Sequence, residues 1–487
     1  MENRRRLYAG MTDPIRIAVI GGGWAGLAAA ARLVEQRLRS NENPCIAVTL
    51  FEASPQFGGR ARGLSWTLDN GKSLAIDNGQ HLAIGAYTRT LALLKKVNAP
   101  AWQQEPLVWT GVGRQRIDQQ WAVPSLAWPW RLMPGLLPGR GPKGWPLAWK
   151  LSMPRLLWAL TRSDAHQTTM SAAKWLTDRG APQEFIAHFW RPLVEGALNT
   201  ALEEASAAVM VQVLRDSLLG RRASTDVLTP PNDLSSDGVI PIANWLQRNG
   251  VELRLNHRVR HISPLQAAPP RQQTIAEHCW SVTTEHQGAQ QDRAFDRVLI
   301  ALPAPATRAL WNQSHLPETS SIERLKTLGH RAITTIWIAL RDTDQTILER
   351  FPSWFIFHPI QGVPHVAQVG VKRPGVLALV ISAQNLDQPD ALARRETHAS
   401  RLQTQLKIQL GLDIEGLPQK WITEKSATWA CTADLHPLEQ NASLGHIGLP
   451  GLFRAADDLE PGYPATIESA VRSGERTADT VIATRNN

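Results

Sequence analysis

IRIAVIGGGWAGLAAAARLV, residues 15–34, decides how the chain begins. Ile15 to Ile20 is a short apolar run rich in β-branched residues, the composition of a buried strand. Gly21-Gly22-Gly23-Trp24-Ala25-Gly26 follows without a spacer, and the alanine-rich Leu27 to Val34 favours a helix. Strand, tight turn and helix in that order open a βαβ unit. Gly21 allows the sharp turn, Gly23 lets the main chain approach a pyrophosphate, and Gly26 lets helix and strand pack closely. The N-terminus of the helix, where Trp24 and Ala25 stand, then faces the phosphates.

Three glycines at this spacing are a weak signal alone, so the context has to carry the reading. A second apolar run, Ile46 to Phe51, ends in Glu52-Ala53. The Glu52 carboxylate can accept hydrogen bonds from ribose hydroxyls, and its charge disfavours a 2′-phosphate and hence NADP. Glu52 lies farther from the glycine turn than the usual spacing of about 20 residues; the polar stretch Arg37 to Pro44, read as a surface loop, accounts for the excess. The plain alternative is a glycine turn before an ordinary helix, with Glu52 a solvated strand end.

The chain of 487 residues is longer than the roughly 250–300 at which one core stops growing, so at least two domains are expected. It contains no apolar run of bilayer-spanning length, and Met1 to Gly10 carries Arg4, Arg5 and Arg6 without the apolar stretch of an export signal. Cys45, Cys279 and Cys431 are scattered, which argues against a metal site or a disulfide framework and fits a reducing cytoplasm. The net charge of +9 suits nucleic acid, anionic lipid or solubility alike, and no nucleic-acid module is recognisable. The stronger anomaly is 19 tryptophans, ten of them between Trp102 and Trp190. Basic residues outnumber acids from Arg114 to Arg162, interleaved with Trp128, Trp130, Trp145 and Trp149. Trp and Arg at the mouth of a cavity suit an anionic membrane surface; the alternative is that these tryptophans are simply core.

Phe57-Gly58-Gly59-Arg60-Ala61 stands where an extended dinucleotide would continue past its pyrophosphate, and Asp77-Asn78-Gly79-Gln80-His81 follows. With the glycine turn and Glu52-Ala53, these runs resemble the FAD-dependent amine oxidase and carotenoid desaturase superfamily. The DNGQH run resembles its hydroxysqualene dehydroxylases, also called squalene-associated FAD-dependent desaturases. Near the C-terminus, Ala455-Ala456-Asp457, Tyr463-Pro464-Ala465-Thr466-Ile467-Glu468 and Ala470-Val471-Arg472-Ser473-Gly474 are similar to that family's closing pattern. Ala456 departs from it, standing where the family has glycine.

The resemblance implies FAD as cofactor, held by the glycine turn, Glu52, Ala53, Gly58, Gly59, Arg60, Asn78, Gly79 and Gln80. It further implies that the main chain of Val259 reaches the adenine end and that Asp457 bonds the ribityl or pyrophosphate region. A helix starting near Pro464, with Ala465 and Thr466, would point at the flavin pyrimidine. It implies an α/β fold: a Rossmann-type FAD-binding domain, a parallel sheet with helices, plus an α+β substrate domain with a helical cap. The FAD-binding domain is expected in three pieces, 1–100, 233–310 and 416–487. A Trp-rich helical segment over 101–232 and a substrate-domain sheet over 311–415 lie between them. Thr334 to Ala339 and Val376 to Ser382 are expected as strands.

The implied chemistry is reductive removal of an allylic hydroxyl from hydroxysqualene, a long apolar isoprenoid, giving squalene, at the inner face of the cell membrane. A carotenoid-type desaturase, an amine oxidase and a non-enzymatic isoprenoid-binding flavoprotein are the competing readings. Asp77, His81 and Tyr463 are the candidates for relaying the proton the leaving hydroxyl needs. Asp77 and His81 serve equally well as a structural pair locking a loop. No reductant partner is readable.

Overall fold

The structure is a computed structural model that describes residues 14–39, 46–110, 120–130, 145–162, 169–265, 280–357, 359, 362, 365–384, 394–434 and 444–484. Cys45, Cys279, the three N-terminal arginines, residues 40–44 of the expected loop and much of the basic stretch after Arg114 lie outside the described residues.

The opening run forms strand β1 (Ile15–Ile20), and the glycine turn leads into helix α1 (Trp24–Arg39). The helix runs to Arg39, so the polar stretch read as a loop from Arg37 is helical over its first three residues. Beside β1 lie β2 (Ile46–Phe51), β3 (Glu252–Arg254), β4 (Arg297–Ile300) and β5 (Leu452–Arg454), all parallel, in the spatial order β3-β2-β1-β4-β5. The four apolar strands are buried on both faces, as a parallel sheet requires, with Val19, Leu50, Leu299 and Phe453 fully enclosed, while the edge strand β3, Glu-Leu-Arg, is half-buried. Three widely separated stretches of chain thus build one sheet.

A second sheet is antiparallel, ordered 354–356, 369–373, 376–384, 330–339 and 419–429. Two expected boundaries move. The one at 310/311 cuts helix Ala304–Gln313, whose Trp311 packs in one cluster with Ala18, Ile20 and Val298 of the parallel sheet. Ile322 and Leu325 join that cluster, so the passage to the second sheet comes after Leu328. The boundary at 415/416 assigned Gln419–Trp429 to the nucleotide fold, yet this strand pairs along most of its length with His330–Ala339.

The Trp-rich region is only partly helical as expected. It opens on the short strands Gln103–Glu105, Val108–Thr110 and Gln120–Ala122 and ends near Val227–Thr229. Helices lie between, among them α2 (Leu147–Thr161), α3 (Arg191–Leu198) and α4 (Ala207–Leu218), with a wider π turn over Ile186–Trp190. Its tryptophans divide. Trp145, Trp149 and Trp190 interlock with Phe185 and Phe189 at ring separations of 4.8–5.8 Å, and Trp175 is equally buried. Trp130 and Trp158, by contrast, are 66% and 61% exposed. Leu147 and Leu151, at 70% and 69%, stand on the same face of α2 as Trp158, so this helix is apolar on both sides.

The last helix, α5 (Ile467–Ala483), packs along α1. Gly474 makes that possible, because a Cβ there would lie 2.3 Å from the Ala25 carbonyl oxygen. Arg32 of α1 then reaches Asp479 of α5 at 2.7 Å.

Candidate functional site

The C-terminal ends of four parallel strands converge on one cavity of about 350 Å³. β1 delivers Gly21, β2 delivers Glu52, β4 delivers Ala301, and β5 delivers Ala455, Ala456 and Asp457. This is where open parallel sheets bind their ligands. The opposite wall comes from the second sheet, through Ile333, Thr335, Ala427 and Thr428.

The glycine turn is shaped as its spacing predicts. Gly21 has φ +110°, and a Cβ there would lie 2.4 Å from the Ala301 carbonyl oxygen. At Gly26 a Cβ would come within 1.9 Å of the Gly21 carbonyl oxygen, so α1 rests directly on the turn. Gly23 and Gly59 face each other with nothing but hydrogen between them: a Cβ on Gly59 would lie 3.2 Å from the Gly23 Cα. The remaining glycine, Gly22, answers to packing, because a side chain there would meet the Phe57 ring at 2.4 Å. Glu52 accepts from the Gly22 amide at 2.8 Å through one oxygen and from the Ser54 amide at 2.8 Å through the other. Its carboxylate is therefore fixed at the cavity wall.

The second and third motifs are tied to each other and to the C-terminus. The Asn78 side chain accepts from the Arg62 amide at 3.0 Å and donates to the Arg60 carbonyl at 2.9 Å. Trp24 donates its indole N–H to the Ala61 carbonyl at 2.9 Å. Arg60 in turn pairs with Asp457 at 2.7 Å and donates to the Ala427 carbonyl at 2.9 Å. One guanidinium thus joins the second motif, the second sheet and the turn that follows β5. Ala456 is extended, with φ −159°, so its Cβ is accommodated without strain where the family has glycine.

α5 begins later than the resemblance implies. Thr466 caps it, accepting from the Ser469 amide, and Ile467 is its first residue, so Pro464 precedes the helix by three positions. The reason is local: Thr466 and Ser469 form a reciprocal cap. Glu468 is fully buried and accepts from the Arg89 and Thr90 amides at 3.0 and 2.9 Å, anchoring the start of helix Thr88–Lys96. The glutamate of that motif is thereby a structural fastener.

Among the other expected contacts, Gly23, Trp24, Ala25, Gly58, Gly59, Asn78, Gly79, Gln80, Ala465 and Thr466 line the cavity. Gly26 and Ala53 stand behind its wall, and Val259 does not reach the lining; it pairs with Thr284 in a separate three-stranded antiparallel sheet.

A second cavity of about 280 Å³ adjoins the first, sharing Gln80, His81, Ile333, Thr428, Ala465, Thr466 and Ile467 with it. Pro464 lines this one. The three candidate proton carriers fare differently. His81 stands at the junction of the two cavities. Burial, with Arg373 and Arg60 nearby, pulls its pKa down to about 4, so the ring is neutral at pH 7. Its Nε2 is buried without a hydrogen-bond partner. Asp77 lines neither cavity: it is wholly buried, accepting from Arg373 at 2.5 Å and from the Leu234 amide at 2.8 Å. Burial pushes its pKa up while Arg373 and that amide pull against it. Tyr463 lines the second cavity, its hydroxyl donating to Asp216 of α4 and its ring under Arg472. Burial and the Asp216 carboxylate both raise the phenol's pKa, keeping it protonated.

Asp216 went unrecognised in the sequence. It lies in an amphipathic helix with no motif around it, and only the fold brings it 247 positions along the chain to Tyr463. It is the one carboxylate among the described residues lining the second cavity. Among the described residues no group of acids, histidines and cysteines is placed to hold a metal ion.

The sequence profile for flavin containing amine oxidoreductases matches residues 24–482. A hydroxysqualene dehydroxylase of Zymomonas mobilis is 26% identical over 486 residues, covering 96% of this chain and 98% of that one. Another, from Sinorhizobium fredii, is 25% identical, covering 97% and 100%. Among solved structures, an oxidoreductase from Methanosarcina mazei superposes with a TM-score of 0.65 at 16% identity, covering 97% of this chain and 100% of that chain. Putrescine oxidase bound to putrescine gives a TM-score of 0.63 at 15% identity, with the same coverage. A crevice of strand ends walled with glycine, and a profile that runs almost from turn to tail, have one reading: the chain belongs to the flavin containing amine oxidoreductase family and is an FAD-dependent oxidoreductase.

Proposed function

We propose that the protein reductively removes the allylic hydroxyl of hydroxysqualene, giving squalene. The observation that carries this reading is the end-to-end match to hydroxysqualene dehydroxylases, together with a largely apolar second cavity holding one acid pair.

FAD fits the first cavity because part of its wall is bare main chain: Gly21, Gly23 and Gly59 line it and put no side chain where a pyrophosphate would lie. In this reading Glu52 holds the ribose, the N-terminus of α1 faces the phosphates, and Asp457, steadied by Arg60, bonds the ribityl chain. Asn78, Gly79, Gln80 and Thr466 border the ring system. When bound in its reduced form the cofactor supplies hydride.

The chain's own residues do the rest. Tyr463 and Asp216 take up one proton and pass it to the departing hydroxyl, which leaves as water when the C–O bond breaks. The hydride then completes the new C–H bond at the same carbon. Allylic delocalisation spreads the positive charge that C–O cleavage leaves. Leu82, Ile84, Leu193, Val213 and Ile356 wall the cavity and keep bulk water from that carbon. His81, uncharged, cannot serve as an imidazolium acid, and Asp77 is occupied by Arg373.

Anaerobic incubation of reduced holoenzyme with hydroxysqualene should yield squalene. Tyr463→Phe and Asp216→Asn should each slow it by about 10²–10⁴-fold with FAD retained. Conversion of phytoene by the oxidised enzyme, and none of hydroxysqualene by the reduced one, would overturn the reading.

The exposed face of α2 rests, in this proposal, on an anionic membrane at the cytoplasmic side. Leu147, Leu151 and Trp158 are its apolar surface, Arg155 and Arg162 its charges, and Arg162 lies 5.1 Å over the Trp158 ring. No described helix is long and apolar enough to cross a bilayer. Wild type should float with phosphatidylglycerol vesicles at low salt while Leu151→Glu and Trp158→Glu stay behind with FAD bound. Flotation of all three, or of none, would remove the membrane claim.

A further inference from the structure

A third cavity of about 130 Å³ lies beyond the second. The two share Ile84, Leu107, Leu193, Ala197 and Val213, which form a neck between them. The second cavity also opens on the first, through Gln80, His81, Thr428 and Thr466, whereas the first and third have no lining residue in common. The three spaces therefore lie in series: cofactor, reacting carbon, terminal chamber.

The terminal chamber differs from its neighbours in chemistry. It is bounded by Met153 of α2, Phe189 and Trp190 of the π turn, and Met210, Leu214 and Leu218 of α4. No charged side chain is among its described lining, and its two hydroxyl residues are Ser217 and Thr225. Ser217 donates within its own helix to the Val213 carbonyl at 2.7 Å. Such a space favours hydrocarbon and penalises any polar group that cannot find a partner. Methionines on two sides let it adjust to an irregular chain.

We infer that this chamber receives the distal hydrocarbon arm of the isoprenoid substrate, and that the neck at Ala197 and Val213 sets the length of chain the enzyme accepts. The inference rests on the dehydroxylase reading for its substrate class. An allylic alcohol short enough to end in the second cavity never meets the neck. A thirty-carbon chain must pass it, because the first cavity is taken by the cofactor. Met153 also places the chamber directly beneath α2, whose outer face carries Leu151 and Trp158.

The test narrows the neck from either helix, with Ala197→Phe on α3 and Val213→Phe on α4. FAD-loaded wild type and both variants are titrated with squalene and with farnesol, following the flavin absorbance, and turnover of hydroxysqualene is measured alongside. Both variants should bind squalene at least tenfold more weakly, which is about 1.4 kcal/mol, and should lose clearly less affinity for farnesol, which meets only the near side of the neck. Equal loss for both ligands, or no loss for either, overturns the chamber. A variant that fails to fold reveals itself by losing FAD, and the other then decides. A wild type that binds squalene but makes none from hydroxysqualene would sink the dehydroxylase reading, while the squalene-to-farnesol ratio still judges the chamber.

Discussion

Asp77→Ala leaves the Arg373 guanidinium, 5% exposed, as a buried charge without its counter-ion. Arg373 keeps its bond to the Asn232 carbonyl at 3.1 Å and its place 5.4 Å over the Trp337 ring, neither of which neutralises it. Removing one member of a buried ion pair costs about 3–5 kcal/mol. The Leu234 amide loses its acceptor as well, adding about 1 kcal/mol. Unfolding entropy of about 2.1 cal/mol/K per residue comes to about 1 kcal/mol per degree over this chain taken as one cooperative unit. The melting midpoint of the FAD-loaded protein should therefore fall by roughly 4–6 °C in scanning calorimetry. Turnover per bound FAD should change little, because Asp77 touches neither cavity. Pairing Asp77→Leu with Arg373→Met replaces the ions by hydrocarbon and should restore most of the lost stability. A variant that melts within a degree of wild type while losing turnover would refute this account and return Asp77 to the chemistry.

His81 sets an acid limit on stability. Its folded pKa of about 4 lies below the unfolded value of 6.5, so between those pH values the unfolded chain takes up a proton that the folded chain excludes. Stability therefore falls as pH drops through that window, by about 3 kcal/mol in all. Urea unfolding at pH 7 and pH 4.5 should show a steeper loss in wild type than in His81→Gln; identical slopes would contradict it. Gly26→Ala forces a methyl to within 1.9 Å of the Gly21 carbonyl oxygen, where the two nearest atoms are main chain and the next is the Ala301 Cβ. The variant should lose about 1–3 kcal/mol by overpacking and purify largely without FAD. A yellow protein with wild-type flavin content would show that the turn is looser than its geometry implies.

The nucleotide fold was legible because its signals are local. Strand and glycine turn are adjacent in sequence, Glu52 closes the next apolar run, and Gly21 and Gly26 each have a steric reason that the spacing encodes. The closing motif was legible as a pattern but not in its parts: Pro464 resembles a helix start, yet Thr466 and Ser469 cap the helix two residues later. The boundaries failed where pairing overrides composition. Gln419–Trp429 carries polar residues that look peripheral, and its place beside His330–Ala339 is fixed by main-chain bonds that no local pattern announces. Asp216 was invisible for the same reason, because its partner lies on another element. The tryptophans divide by helix face, which composition does not encode: Trp149 is enclosed while Trp158, on the same helix, is open.

The order of β3-β2-β1-β4-β5 has a consequence for how the protein is made. β5 begins at Leu452, so the wall bearing Asp457 does not exist until the chain has been made 397 positions past Arg60. Contacts between Arg60 and Asp457 span 397 positions, the kind of closure that folds slowly. Until it forms, α1 lacks its α5 neighbour and leaves an apolar alanine face bare. FAD can settle only on the finished sheet, and ligand that binds the native state alone pulls folding forward. A chain stopped short of residue 452 would be colourless, so uptake of the yellow cofactor marks the arrival of β5 in the sheet.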